Sequence, residues 1–402
     1  TYCESGISFL SETCWETQYD LSLRLYETAV LAHFSNNTDD RSKLMAYIHM
    51  IFDRAKDFSD KFNTHRVWTQ VLSMKQLPVA IEQCLVALEN LGEPLDLSSI
   101  DYIKTCEELL DHEVSFSGES LMSKPVIESN KRNAMMVMSS LILYYHQSKS
   151  FLAAVVSCRM IEMSMKFGYC ADSIYGAASF AVSLVTCLGD IDGGNTWGRK
   201  AMDLMKVCGK PSLIPTIILS LHGFVFVWKE PFQSSLEVLA EGIRSSFTYG
   251  HVEYAKGFTL VYVSRSFHTG KNIRVLTEEV DALTRQHGIR FGGVTSSDAV
   301  NQFTLLPLSN ILHDLQEDMD PSTMDRRRVE GVHRVDNYDL LKAAIEEGNS
   351  SQLYTIISLQ TAKELMCRSM DKALKCTDMY FEHFGSKQLQ MAYIYIYNVF
   401  YD

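Results

Sequence analysis

Residues 168–209 read GYCADSIYGAASFAVSLVTCLGDIDGGNTWGRKAMDLMKVCG, and residues 209–250 read GKPSLIPTIILSLHGFVFVWKEPFQSSLEVLAEGIRSSFTYG. Each stretch holds two apolar-rich segments divided by a short punctuator, Gly189 in the first and Glu230-Pro231 in the second. Segments of roughly 14–20 residues are too long for ordinary strands and have helical length. A unit of about 40 residues made of two helices and a turn is the signature of a helical solenoid. One such hairpin cannot bury both of its faces, so neighbours must stack and share a continuous core.

The same rhythm extends outward, with further stops at Gly168, Gly209, Gly250 and Gly270. In residues 19–34, Leu21, Leu25, Thr28, Ala29, Ala32 and Phe34 recur at steps near three and four, which places them on one helical face. Asp39-Asp40 predicts an acidic first turn for a helix through Met45, Ile48, Ile51, Phe52 and Ala55. Another helix is predicted over 61–74, and a further one over 78–91. Pro78 suits a first helical turn, and Gly92 with Pro94 ends that helix. Residues 317–337 break the pattern: Asp320-Pro321, Arg326, Arg327, Arg328 and Arg334 mark a polar, exposed loop. Helix resumes from 338. The tyrosine-rich segment 389–401 has no stop signal, and its partner helix is expected to lie beyond the chain. The expected organisation is therefore all-α, with a helical-repeat array over 1–316, a linker or insertion over 317–337 and further repeats over 338–402, truncated at the C-terminus.

Composition agrees with this. Hydrophobic residues are 46% and charged residues 21%, the balance of a globular chain. Eight prolines and 21 glycines are too few for the many turns of an all-β domain. A formal charge of −12 repels phosphate backbones and argues against a nucleic-acid partner. Ten cysteines (3, 14, 84, 106, 158, 170, 187, 208, 367 and 376) include no Cys-x-x-Cys pair and sit mostly among apolar residues. That is the usage of buried free thiols in a reducing compartment, so a cytoplasmic location is expected. No signal segment opens the chain, and Thr1 in place of methionine implies that the native N-terminus lies upstream. In that setting the sequons at 36–38 and 349–351 carry no meaning. The uncharged stretches 173–189 and 211–228 fall at or under the length of a membrane span and read as buried central helices.

No motif carries chemistry. Gly193 and Gly198 stand at Walker spacing, but Arg199 and Lys200 occupy the places of the lysine and the hydroxyl, so the segment reads as an inter-helix turn. Asp190-Ile191-Asp192 opens like a calcium loop but lacks the closing glutamate, position 201 being Ala; helix capping is the plainer role. His251-Val252-Glu253 has no Pro-Cys-x-x-Cys to complete a zinc site, and His112-Glu113 does not extend to a metalloprotease motif. Met135, Met136, Met138, Met160, Met163 and Met165 read as core filler, and Trp15, Trp68, Trp197 and Trp228 as packing anchors. No catalytic, cofactor-binding or metal-binding residue is assigned, no cofactor is expected, and the sequence does not mark the partner-binding face.

Several segments together resemble a known family. They are residues 19–29 (YDLSLRLYETA), 188–194 (LGDIDGG) with Gly198 and Ala201, 228–230 (WKE), 247–255 (FTYGHVEYA) and 267–271 (FHTGK). These are similar to the tetratricopeptide-like helical region behind the AAA-type ATPase domain of multi-domain serine/threonine and histidine signalling kinases. The resemblance covers about 15–280 and returns from 354, where Tyr395-Ile396-Tyr397 resembles an aromatic helix of a late repeat. It implies a tetratricopeptide-like superhelix of stacked antiparallel helix pairs. It also implies a non-catalytic regulatory arm whose partners are intramolecular ATPase, kinase or sensor domains. The alternatives are a stand-alone adaptor that binds a protein or peptide, and an α-helical enzyme with dispersed site residues.

Overall fold

The computed structural model describes residues 2–35, 41–73, 76–95, 128–148, 152–208, 211, 213–248, 252–286, 306–319, 337–346 and 350–384. Among them are eighteen α-helices and no β-strand, so the chain is all-α. It divides into two compact units, residues 1–176 and 177–402. The first holds α1 (Tyr2–Ser8), α2 (Cys14–Thr17), α3 (Tyr19–Ser35), α4 (Ser42–Arg54), α5 (Phe58–Ser73), α6 (Leu77–Asn90), α7 (Ser129–Gln147) and α8 (Leu152–Phe167). Helix α9 (Ala171–Ser183) spans the division and runs into a π-helical turn, Leu184–Leu188. The second unit continues with α10 (Ile191–Cys208), α11 (Ile214–Phe224), a 3-10 turn (Phe226–Trp228), α12 (Phe232–Thr248) and α13 (Val252–His268). It is completed by α14 (Ile273–Gln286), α15 (Leu306–Met319), α16 (Asn337–Glu346), α17 (Ser350–Met366) and α18 (Met370–Phe384).

Periodicity decides which faces are buried. In α4, Leu44, Ile48 and Ile51 recur at steps of four and three and pack with Val30 of α3 and Val67 of α5. Trp15, Tyr26, Tyr47, Phe52 and Trp68 close that core at its edges. In the second unit, Leu239 and Ile243 of α12 meet Phe258 and Val261 of α13. Leu276 and Val280 of α14 join Leu308, Ile311, Leu312 and Leu315 of α15 and Leu359 of α17 in a larger core.

Among the described helices, extensive contacts run between neighbours or next-but-one neighbours. Gly242 lies on Phe258 and Ser235 binds Arg265, so α12 and α13 are antiparallel. Two pairs of helices two places apart run in the same sense. Tyr19 and Glu27 of α3 reach Asp60 and Asn63 of α5 in that order. Likewise Leu219 and Gly223 of α11 meet Gly257 and Arg265 of α13.

Several helix ends follow the sequence signals. Pro78 lies in the first turn of α6. At the other end of α6, Gly92 has φ +74°, its N–H donates to the Glu89 carbonyl, and the Glu93 N–H donates to Leu88. This left-handed cap is cheap only for glycine. Arg368, with φ 56°, makes the same two bonds after α17 without being a glycine. The acidic start at 39–40 and the stops at Gly209 and Gly250 lie outside the described residues.

Three expectations need correction. Residues 193–201 do not form a turn: α10 begins at Ile191, so Gly193, Gly194 and Gly198 are helical. A Cβ on Gly194 would stand 2.4 Å from Val185, and one on Gly198 2.9 Å from Phe226, so those two glycines permit close packing. The loop expected over 317–337 is helical through Met319 and again from Asn337; residues 320–336, with the arginine run, lie outside the described residues. The apolar stretch at 173–189 belongs to a continuous helical segment, Ala171–Leu188, that is long and apolar enough to cross a membrane. Only the length is corrected: the segment is 83% buried within the protein, as its reading as a buried helix expects.

Candidate functional site

The second unit carries a shallow groove of about 390 Å³ along α12. Gln233, Leu236, Glu237 and Ala240 line it, and their spacing of three and four places them on one face of that helix. A second face of α12, with Ser235, Leu239, Gly242, Ile243 and Ser246, is buried. The facing wall is Tyr262 of α13 and the turn Thr269, Gly270 and Lys271.

That turn is held by local rules and by a polar triad. Gly270 has φ +72°, its N–H donates to Phe267, and the Lys271 N–H donates to Ser266. Lys271 Nζ then donates to both oxygens of Glu279 at 2.7 Å and to Tyr262 Oη at 3.0 Å. The Tyr262 hydroxyl donates to Glu279 at 3.1 Å. Burial alone would lower the Lys271 pKa, but the bonds to Glu279 and Tyr262 outweigh it and hold the ammonium above its ordinary value.

On the buried side of α12, Arg265 of α13 is itself buried and ties α13 to α12 and α11. Its Nη1 donates to Ser235 Oγ of α12 at 2.6 Å, and its Nη2 to the Gly223 carbonyl of α11 at 2.9 Å. The guanidinium lies 5.5 Å from the centre of the Phe232 ring. Nearby, burial lowers the His222 pKa to about 4, aided by the charges of Arg265 and Arg199 and opposed by Glu230. His222 is therefore a neutral packing group at ordinary pH, set edge-to-face on Phe226 at 5.0 Å.

The α12–α13 contact leaves no room at Gly242, where a Cβ would fall 2.3 Å from the fully buried ring of Phe258. Gly242→Val is expected to destabilise the second unit by about 2 kcal/mol, overpacking outweighing the gain in helix propensity. Thermal denaturation checks this, and pairing the change with Phe258→Leu should recover part of the loss.

The residues singled out by sequence do not converge on this groove. Asp190 caps α10, its Oδ1 accepting the Gly193 N–H at 2.8 Å. Arg199 pairs with Glu230 and stacks 4.2 Å from the Phe226 ring centre, and Lys200 lies 4.8 Å over Trp197. His251 and His112 are outside the described residues. Met135, Met138, Met160 and Met163 are core residues, whereas Met165 is exposed. Trp197 is buried edge-to-face on Phe180 at 5.1 Å, Trp68 on Phe52 at 5.2 Å, and Trp15 packs on Tyr19 and Tyr26. The cysteines whose side chains are described are free thiols; Cys14, Cys84 and Cys158 are buried and Cys367 is exposed. Burial pushes the Cys84 thiol up to about 12, which makes it unreactive. Among the described residues, no three His, Cys, Asp or Glu side chains gather at a metal-sized site.

The groove was not legible in the sequence, because Leu236 and Ala240 have the same step as core residues. The 233/236/237/240 set is a second, mixed-polarity stripe on a helix that already has a buried one. Comparison with known proteins finds no matching family model and no similar curated protein.

Proposed function

We propose that this chain is a non-catalytic interaction arm, a tetratricopeptide-like superhelix that serves a larger cytoplasmic signalling ATPase or kinase. The observation that carries the reading is the same-sense packing of helices two places apart, α3 with α5 and α11 with α13. Stacked helix pairs repeat in this way along a solenoid, and their successive first helices line an extended surface suited to other proteins. The lined groove on α12 supports such a role, and the resemblance of residues 15–280 supports the attachment to ATPase and kinase domains. Regulation would follow if this arm held those domains apart or together.

The test is to sequence the transcript outward from both ends of the chain. A Gly-x-x-x-x-Gly-Lys-Ser/Thr coding segment upstream, with sensor or phosphotransfer coding downstream, is the expected result. A start codon directly before Thr1 and a stop directly after Asp402 would overturn the arm and leave a free-standing adaptor. Turnover of ATP or of an ester panel by the purified chain would overturn the non-catalytic reading.

A further inference from the structure

We propose that the α12 groove takes a basic–aliphatic peptide segment, seating an aliphatic side chain against Leu236, Ala240 and Tyr262 and a lysine or arginine on Glu237. This rests on the interaction-arm reading and adds the class of partner. The floor of the groove is apolar, which calls for an aliphatic side chain.

Charge sets the rest. Lys271 is already neutralised by two bonds to Glu279, so the positive charge at the turn is spent inside the protein. Farther along α12, Glu241 is paired with Arg244 at 2.6 Å. Glu237 lies between these pairs, exposed on the groove face, and has no ion-pair partner among the described residues. An incoming cation gains that charge at no cost to an existing pair, whereas an incoming carboxylate meets repulsion. Gln233, one turn earlier on the same face, is exposed and presents an amide donor and acceptor suited to peptide backbone.

The experiment uses the full chain and three fluorescein-labelled synthetic peptides, each of leucine and alanine interspersed with arginine, with glutamine or with glutamate. Fluorescence anisotropy is measured at low and at physiological salt. The arginine peptide is expected to bind most tightly and to weaken as salt rises. Glu237→Lys should cost the arginine peptide about tenfold in affinity and should strengthen the glutamate peptide. That exchange of preference cannot arise from misfolding, and Glu237 is exposed, so the variant should melt as the parent does. Leu236→Asp should weaken all three peptides. Equal binding of the arginine and glutamine peptides, unchanged by Glu237→Lys but lost in Leu236→Asp, would overturn the cationic partner and leave the interaction arm standing. Failure of all three peptides to bind would overturn the groove assignment, while the transcript test would still decide the arm.

Discussion

Glu93→Ala is expected to cost the first unit about 3 kcal/mol, the lower end for breaking a buried charge cluster. The Glu93 side chain is 6% exposed in the segment after α6, where the left-handed cap at Gly92 turns the chain. Its two oxygens take Lys131 Nζ of α7 at 2.5 Å and Arg159 Nη2 of α8 at 2.8 Å. Arg159 also holds Glu162 at 3.0 Å, and Lys131 lies 4.8 Å over the Phe167 ring. Burial alone would raise the Glu93 pKa, but Lys131 and Arg159 overcome it and hold the carboxyl below its usual range. Without the carboxylate, Lys131 is a largely buried ammonium with its main partner gone, while the more exposed Arg159 can turn to water. Adding Lys131→Met to Glu93→Ala should therefore return much of the loss. Urea denaturation, with hydrogen exchange of α7 and α8 to locate the effect, measures both. A loss under about 1 kcal/mol would place the cluster with ordinary surface ion pairs.

The second large effect is acid destabilisation of the same unit through His65. This imidazole is buried on α5 among Phe52, Phe58 and Trp68, with ring centres 6.2, 5.5 and 5.6 Å away. Burial lowers its pKa to about 4, a hydrogen bond with Gln83 acting weakly against it. The unfolded chain takes this proton near pH 6.5 and the folded chain near 4, so between those values the unfolded state binds more protons. Stability is then fully present above pH 6.5 and falls as pH drops towards 4, by about 3 kcal/mol at about 1.4 kcal/mol per pH unit. Glu93 acts in the same direction at lower pH, since its stabilisation is lost as pH falls through its lowered pKa. The His65→Gln variant isolates the His65 share: denaturation midpoints at pH 7, 5.5 and 4 should fall less steeply than in the parent. An unchanged slope would show that His65 takes no part.

Helices were legible in this sequence where apolar spacing and glycine stops agree, as at α6 with Pro78 and Gly92 and at α13 with Gly270. The reading failed where glycine has another role. Gly193, Gly194 and Gly198 look like turn residues, yet the last two serve close approach to Val185 and Phe226 inside α10. The end of α17 was hidden for the opposite reason, because Arg368 fills a left-handed position without a glycine to announce it. The Glu93 cluster depends on residues 38 and 66 positions apart being brought together, which no local period encodes.

The neighbour-to-neighbour pattern of helix contacts also bears on how the chain reaches its fold. Among the described helices, α3 to α6 pair in turn, as do α11 to α14, and within these two runs only short loops close before apolar surface is gained. Local contacts of this kind favour rapid folding. On the ribosome, each hairpin can pack as soon as its second helix clears the exit tunnel, against a neighbour already in place. Within each of those runs, assembly would then advance in the direction of synthesis, each new helix covering the apolar face left by the one before it.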